Sequence, residues 1–261
     1  MKILKRLLTI IVILATFVGI IYFYWFCPRY VVPILMYHRF GYSNSTLFVT
    51  PENFAKQMDY LKKHNYRVIS LDELIKGIEH NKYFPHNTVV ITIDDGYRDS
   101  YIYAFSILKK YNFPATIFII TNYIGKKKEF LNWGEVKEMS NNGITFGAHT
   151  RNHVYLPGIK DRKVLWNEIK GSKLDLERKL KVPINYFCYP IGGFNKLIKE
   201  MVRNAGYKGA CATNRGSDRF NRDVYALKRI KVTNSDVNKP LSFWAKLSGY
   251  YNLFRKKRKG D

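Results

Sequence analysis

Two adjacent carboxylates stand at the end of an apolar, strand-forming run. The segment TVVITIDDGY (88–97) leads from this run directly into Asp94, Asp95 and Gly96. An Asp-Gly pair is also a common turn signal, so an ordinary turn is the simplest interpretation of the segment taken alone. Adjacent residues of an extended chain point to opposite sides, so the two carboxylates are suited to different tasks.

Two histidines four residues apart supply a second part of a candidate site. His149 and His153 occur in the segment HTRNH, and on a helical turn both imidazoles would lie on one face, where they can bind one metal ion. Two ordinary surface histidines are the alternative, so the metal interpretation needs a third ligand. Asp95 or Asp94 can supply it, since two histidines and one carboxylate form a hydrolytic metal site with open positions. The other aspartate would then accept a proton from water.

The elements that must position these side chains alternate between apolar runs and amphipathic segments. The predicted strands are 31–38, 66–71, 88–93, 115–120, 144–148, 184–189, 208–213 and 227–232, and the predicted helices are 51–64, 71–80, 100–111, 132–143, 160–180, 195–206 and 241–254. This alternation predicts an α/β domain with a parallel sheet covered by helices, either a barrel or a doubly wound sheet. In both folds, side chains at the C-terminal ends of the strands converge. No GxGxxG or Walker motif follows the first strand, which disfavours nucleotide binding.

Further polar or unusual residues follow other predicted strands. His38 ends the first strand, and the segment Pro190-Ile191-Gly192-Gly193 follows INYFCY. We expect both to lie at the same mouth as the aspartates. The alternative for His38 is a buried histidine that satisfies backbone groups.

The N-terminus predicts a membrane anchor. Three basic residues in the first six positions precede a charge-free run from Leu7 to Phe26, which is about 30 Å of helix, and aromatic residues crowd its far end. We therefore divide the chain into residues 1–28, with a single-pass anchor, and residues 29–261, a domain outside the cytoplasm with a basic tail. A cleaved signal peptide, leaving a secreted domain, is the alternative.

Composition is consistent with the cell envelope. Lys and Arg number 44 against 20 Asp and Glu, a formal net charge of +24, which implies anionic surroundings. A location outside the cytoplasm disfavours nucleic acid as the partner, and no obligate protein partner is evident. Three cysteines, Cys27, Cys188 and Cys211, are too few for a disulfide framework, although one bond between the last two stays open.

Together the motifs resemble one family. TIDDGY looks like the TFDDG motif of polysaccharide deacetylases, also known as carbohydrate esterase family 4 or the NodB-homology domain, and HTRNH looks like their H-(S/T)-x-x-H motif. FCYPIGGFN is similar to the third motif in the form found in poly-N-acetylglucosamine deacetylases, and PILMYHRF resembles the segment that opens those members. The resemblance runs from Pro33 to Val232, with the motifs in family order.

The resemblance implies a fold and a set of roles. The fold would be an irregular (β/α)7 barrel after the N-terminal transmembrane helix. Asp94 would be the general base, and Asp95 would bind the metal with the two histidines of HTRNH. His38 would be the general acid, and the backbone N–H of Ile191 would contribute to the oxyanion hole.

The chain departs from the family pattern at one electrostatic position. The usual third motif has an arginine, which pairs with the base, where Cys188 stands. Arg229 in LKRIKV is a candidate to orient Asp94 instead. Arg229, Tyr189 and Pro190 are also assigned to substrate binding.

The activity implied is metal-dependent hydrolysis of N-acetyl groups on an extracellular N-acetylglucosamine-containing polysaccharide, with release of acetate. Zinc suits two histidines and a carboxylate, and cobalt or nickel are alternatives. The polymer would be poly-N-acetylglucosamine, peptidoglycan or another wall polymer. The rival functions are a non-catalytic polysaccharide-binding domain and an amidohydrolase acting on another C–N bond.

Overall fold

The structure is a computed structural model that describes residues 2–22, 24, 30–213, 218, 220–238 and 240–254. The chain divides into two compact units, Met1–Val31 and Val32–Asp261. Two sequence-predicted features, the aromatic Trp25 with Cys27 and the basic run 255–259, lie outside the described residues.

The first unit contains the helix α1 (Lys2–Ile21), in which no side chain is buried. This helix has 20 residues, an 18-residue stretch of it has a mean hydropathy of 2.2, and it is long and apolar enough to cross a membrane. A signal sequence near the N-terminus has the same properties. The apolar helix that the sequence predicts is therefore present, and its length suits either an anchor or a leader.

The second unit alternates strands with helices. The strands are β1 (Ile34–Tyr37), β2 (Arg39–Phe40), β3 (Phe48–Val49), β4 (Arg67–Ile69), β5 (Thr88–Ile93), β6 (Ala115–Ile119), β7 (Ile144–Ala148), β8 (Tyr186–Cys188), β9 (Gly209–Cys211) and β10 (Ile230–Lys231). The helices are α2 (Pro51–Lys63), α3 (Leu71–Glu79), α4 (Ser106–Tyr111), α5 (Trp133–Asn141), α6 (Arg162–Leu180), α7 (Lys196–Asn204), α8 (Ser235–Asn238), α9 (Pro240–Leu247) and α10 (Tyr251–Phe254). A π-helical segment, Ser100–Phe105, leads into α4.

The parallel sheet runs in the order β10-β1-β5-β6-β7-β8-β9, with β4 also paired to β5. β5 is buried along its whole length because it lies between neighbours in the middle of the sheet. An isolated parallel bridge joins Cys211 of β9 to Leu227, shortly before β10. The sheet is thus curled into a half-barrel covered by helices, and the irregular α/β barrel predicted from the sequence is confirmed.

Local sequence explains the covering helices. In α2, Phe54, Met58 and Leu61 recur at helical spacing and are fully buried, while the Thr50 side chain caps the first turn. In α5, Asn132 and Glu135 form a reciprocal capping box. These helices pack on the outside and leave the C-terminal ends of the strands open for polar side chains.

Candidate active site

Asp94 and Asp95 follow β5 at the mouth of the barrel and diverge there. The Asp94 backbone N–H donates to the carbonyl of Tyr37 at 2.9 Å, which continues the β1–β5 ladder. Asp95 then adopts a left-handed backbone with φ 72°. The two carboxylates consequently enter different surroundings: Asp94 faces an arginine and a histidine, whereas Asp95 faces two other histidines.

Asp95 lies against both histidines of HTRNH. Its Oδ1 is 3.4 Å from His149 Nε2 and 3.3 Å from His153 Nε2, and one ligand atom from each residue lies within 4.8 Å of the others. His149 Nδ1 contacts the carbonyl of Cys188 at 2.7 Å, so the ring proton belongs on Nδ1 and Nε2 is left with a lone pair for a metal. The donor set and its spacing fit one divalent ion.

The histidine loop is a turn and not a helical segment. Thr150 and His153 have φ values of 61° and 56°, and Thr150 Oγ1 accepts a hydrogen bond from the His153 backbone at 2.9 Å. The buried carboxylate of Glu168 accepts hydrogen bonds from the backbone N–H groups of Arg151 and Asn152 at 2.9 and 3.0 Å. The sequence did not single out Glu168, although an acidic residue among the buried positions of α6 could have indicated it.

Asp94 forms a buried ion pair with Arg229. The two Asp94 oxygens accept hydrogen bonds from Arg229 Nη1 and Nη2, each at 2.6 Å, and the Arg229 side chain is 0 % exposed. Burial alone would raise the pKa of Asp94, but the charge and hydrogen bonds of Arg229 outweigh it and hold the pKa well below its usual range. Asp94 is therefore a buried carboxylate that Arg229 keeps ionised.

Cys188 belongs to the same cluster. Its Sγ accepts a hydrogen bond from Arg229 Nη2 at 3.0 Å, and burial raises the pKa of this thiol. Cys188 and Cys211 lie in register on β8 and β9, and both are free thiols. The guanidinium thus reaches Asp94 from the residue directly before β10, whereas the family pattern has its arginine at the position of Cys188.

The other predicted residues surround this cluster. His38 Nε2 lies 3.7 Å from Asp94 Oδ2, and burial lowers the pKa of His38, an effect that the Asp94 charge partly offsets. Ile191 is 58 % exposed and has a left-handed φ of 57°. Tyr189 and Pro190 are buried, and the Tyr189 hydroxyl donates to the carbonyl of Tyr225 at 2.9 Å. The assignment of Tyr189, Pro190 and Arg229 to substrate binding stays a prediction, and the contacts of Arg229 favour positioning of Asp94.

Comparison with known proteins identifies relatives. The sequence model of the family described as "Polysaccharide deacetylase" matches residues 81–210. The chain is 32% identical over 209 residues to the poly-beta-1,6-N-acetyl-D-glucosamine N-deacetylase of Staphylococcus epidermidis, covering 75% of this chain and 72% of that protein.

Two solved structures have the same fold. The deacetylase PplD of Streptococcus pyogenes, in complex with acetate, is 29% identical and superposes with a TM-score of 0.75, covering 81% of this chain and 97% of that chain. IcaB from Ammonifex degensii is 25% identical, with a TM-score of 0.73 over 82% of this chain and 97% of that chain.

Proposed function

The chain belongs to the polysaccharide deacetylase family, and from that premise we propose that it is a divalent-metal-dependent hydrolase of N-acetyl groups on an extracellular N-acetylglucosamine polymer. The observation that carries the proposal is the side-by-side arrangement of two unlike carboxylates. Asp95 faces His149 and His153, while the neighbouring Asp94 is ionised and held by Arg229. A domain that only binds polysaccharide does not need this division.

The residues proposed to hold the metal are Asp95, His149 and His153. A divalent ion bound there would polarise the acetamide carbonyl and lower the pKa of a water molecule. Zinc suits this ligand set, and cobalt or nickel are alternatives. The Nδ1 contact of His149 with the Cys188 carbonyl supports this role because it fixes the ring and its tautomer.

Proton transfer is proposed for Asp94 and His38. Asp94 accepts a proton as water attacks the acetyl carbon, and a new C–O bond forms. The Ile191 backbone N–H donates to the oxygen that gains negative charge. The C–N bond then breaks, the departing nitrogen takes a proton from His38, and acetate and an amine are released. The proton that Asp94 gains offsets the one that His38 gives up, which balances the reaction; His38 Nε2 lies 3.7 Å from Asp94 Oδ2, so the return of the proton needs a bridging water or a small movement of one side chain.

The substrate and location are proposed from the relatives and the N-terminus. A protein that is 32% identical is named for poly-beta-1,6-N-acetyl-D-glucosamine, which supports that polymer over peptidoglycan. The exposed apolar helix α1 supports attachment to the membrane, with the second unit outside. The net charge of +24 suits an envelope rich in anionic polymers.

Acetate release by the full chain in detergent micelles tests this proposal. The substrates are poly-N-acetylglucosamine oligomers and peptidoglycan, each with added zinc and after chelation. We expect metal-dependent release, and a loss of about 10²- to 10⁴-fold in Asp94→Asn, the usual contribution of a positioned base. Asp59→Asn, which removes a surface carboxylate paired with Lys63, is the matched control and keeps full activity.

Two results would contradict the proposal. Full activity of Asp94→Asn would remove the assigned base. Absence of acetate from both polymers, with one metal ion bound per chain, would indicate a different C–N bond as the substrate.

A further inference from the structure

Arg39, the residue directly after His38, has a guanidinium fixed on three sides. The guanidinium carbon Cζ lies 3.9 Å from the ring centroid of Tyr97 and 4.7 Å from that of Phe48. Its Nε donates to Asp99 Oδ2 at 2.6 Å. We call Arg39, Phe48, Tyr97 and Asp99 the arginine clamp. No part of the mechanism above uses it.

The arginine clamp lies beside the proposed metal site. Tyr97 follows Asp95 by two residues, and the charge of Asp95 adds to burial in raising the pKa of both Tyr97 and Asp99. Tyr97 stacks through its ring on Phe130, with centroids 4.5 Å apart. The clamp therefore continues into the segment between β6 and α5 that contains Phe130.

Arg39 has more hydrogen-bond donors than its neighbours use. Its side chain is 27 % exposed; Asp99 accepts from Nε and the Tyr97 hydroxyl is a further hydrogen-bond partner, while Nη1 and Nη2 carry several N–H groups between them. Tyr97 and Phe48 hold the guanidinium plane in place, so little side-chain entropy is lost when it binds a ligand.

Asp99 indicates what kind of acceptor the clamp suits. Its carboxylate offsets the charge of Arg39 at 2.6 Å, so the pair attracts an anion weakly and suits neutral oxygen acceptors. Asp99 is buried and also accepts a backbone hydrogen bond from Phe40, so its carboxylate fixes Arg39 in place at the edge of the mouth.

We propose that Arg39 is a specificity-determining residue that donates hydrogen bonds from Nη1 and Nη2 to the hydroxyl and ring oxygens of a sugar unit lying across the mouth. The inference rests on the proposed function, since it names how the N-acetylglucosamine polymer is recognised. Arg39 holds the sugar, whereas Asp94 and the metal ligands act on the acetyl group. Loss of Arg39 therefore weakens binding of sugar but leaves the chemistry of acetyl transfer to water intact.

Arg39→Met in the full chain tests the proposal with two substrates. One is an N-acetylglucosamine oligomer, and the other is 4-nitrophenyl acetate, which carries an acetyl group but no sugar. We expect KM for the oligomer to rise about 10- to 100-fold, the loss of hydrogen bonds from a charged donor. The kcat for the oligomer, the rate on the ester and the bound metal should each stay within about twofold, because those quantities depend on other residues.

The matched control is Arg67→Met. Arg67 forms a similar ion pair with Glu73 at 2.6 Å, but it starts β4, at the opposite end of the strands from the mouth. In Arg67→Met, KM for the oligomer and the rate on the ester should both be unchanged. Arg39→Lys keeps the charge beside Asp99 but loses the planar donors, and its KM for the oligomer should also rise. This second variant gives the result if Arg39→Met does not fold.

Calorimetric binding of the oligomer separates this inference from the proposed function. Unchanged affinity and KM in both Arg39 variants would overturn the inference, as would a parallel loss of ester hydrolysis, which would indicate a damaged site. Binding that depends on Arg39, without acetate release by the wild type, would support the inference and contradict the proposed activity. If the wild type neither binds nor deacetylates the oligomer, both are wrong.

Discussion

The two sides of the site differ although they begin from adjacent residues. On one side, Asp94 is buried and bound by the guanidinium of Arg229 through two short hydrogen bonds. On the other side, Asp95 lies next to the imidazoles of His149 and His153. The left-handed backbone at Asp95 separates them. The comparison shows that two adjacent carboxylates occupy different environments, and the two roles proposed for them rest on those environments and not on the residue type.

Removal of Asp95 should produce the largest effect and break the metal side alone. In Asp95→Ala we expect the bound metal to fall well below one ion per chain and acetate release to fall more than about 10³-fold, since a metal contributes several kcal/mol to such a reaction. Metal analysis and rate measurement on the same sample check this. Asp94→Asn should retain its metal while losing rate, and equal metal loss in both variants would contradict the division of roles.

Substitution of Arg229 should affect the Asp94 side of the site, and the effect should appear in how protein stability depends on pH. In the wild type, the pKa of Asp94 lies below its unfolded value of about 3.9. The stability that Asp94 contributes is therefore present above pH 3.9 and is lost as pH falls through the folded value. In Arg229→Met the pKa of Asp94 should rise above the unfolded value, because burial is no longer offset, so the variant loses stability as pH rises.

Denaturant unfolding at pH 4 and pH 8 measures this difference. The stability gap between wild type and Arg229→Met should widen with pH and reach about 3–5 kcal/mol at pH 8, the usual cost of an unpaired buried charge. The acidic limb of the pH–rate profile should move to higher pH, since the base is then protonated. A gap of equal size at both pH values would indicate a packing defect instead.

The sequence predicted the fold well because hydrophobic patterning and strand ends are local signals. The alternation of apolar and amphipathic runs gave the parallel sheet, and TVVITI forms the buried strand β5. The final helix was predicted as a single segment, 241–254, but the structure divides it into α9 and α10 around Gly249, whose φ of 80° is left-handed. An isolated glycine in a helical pattern is only a weak signal that a helix ends, so the sequence did not indicate the division at this position.

The site was less predictable because its contacts depend on how the sheet curls. Arg229 and Asp94 are 135 positions apart, and they meet because β10 pairs with β1, which pairs with β5. Glu168 supports the histidine loop from a helix that the motif does not include. Motifs identify which side chains take part, whereas their partners are set by tertiary packing.

Backbone strain at the mouth leads to the prediction with the smallest expected effect. Non-glycine residues with left-handed φ occur at the mouth in Asp95, Thr150, His153 and Ile191, and elsewhere in Asn65, Asn81, Asn112, Lys181 and Asn221. Asparagine tolerates this conformation, but a β-branched residue does not. Ile191 is therefore held in an unfavourable conformation by its surroundings, with its side chain exposed, which is typical of a position kept for function.

Ile191→Gly should relieve this strain and stabilise the fold by about 0.5–1 kcal/mol, the difference between the strain and the added flexibility of glycine. Lys181→Gly is the matched control, because Lys181 has a similar φ of 60° at the C-cap of α6, away from the mouth, and should also be stabilised. Acetate release should fall roughly three- to tenfold only in Ile191→Gly. This is less than the 10²–10³-fold loss of a whole oxyanion donor, because the N–H is still present but less well fixed. If Ile191→Gly is more stable and fully active, the strain at the mouth does not serve to position that N–H, and the two sides of the site would have to act without it.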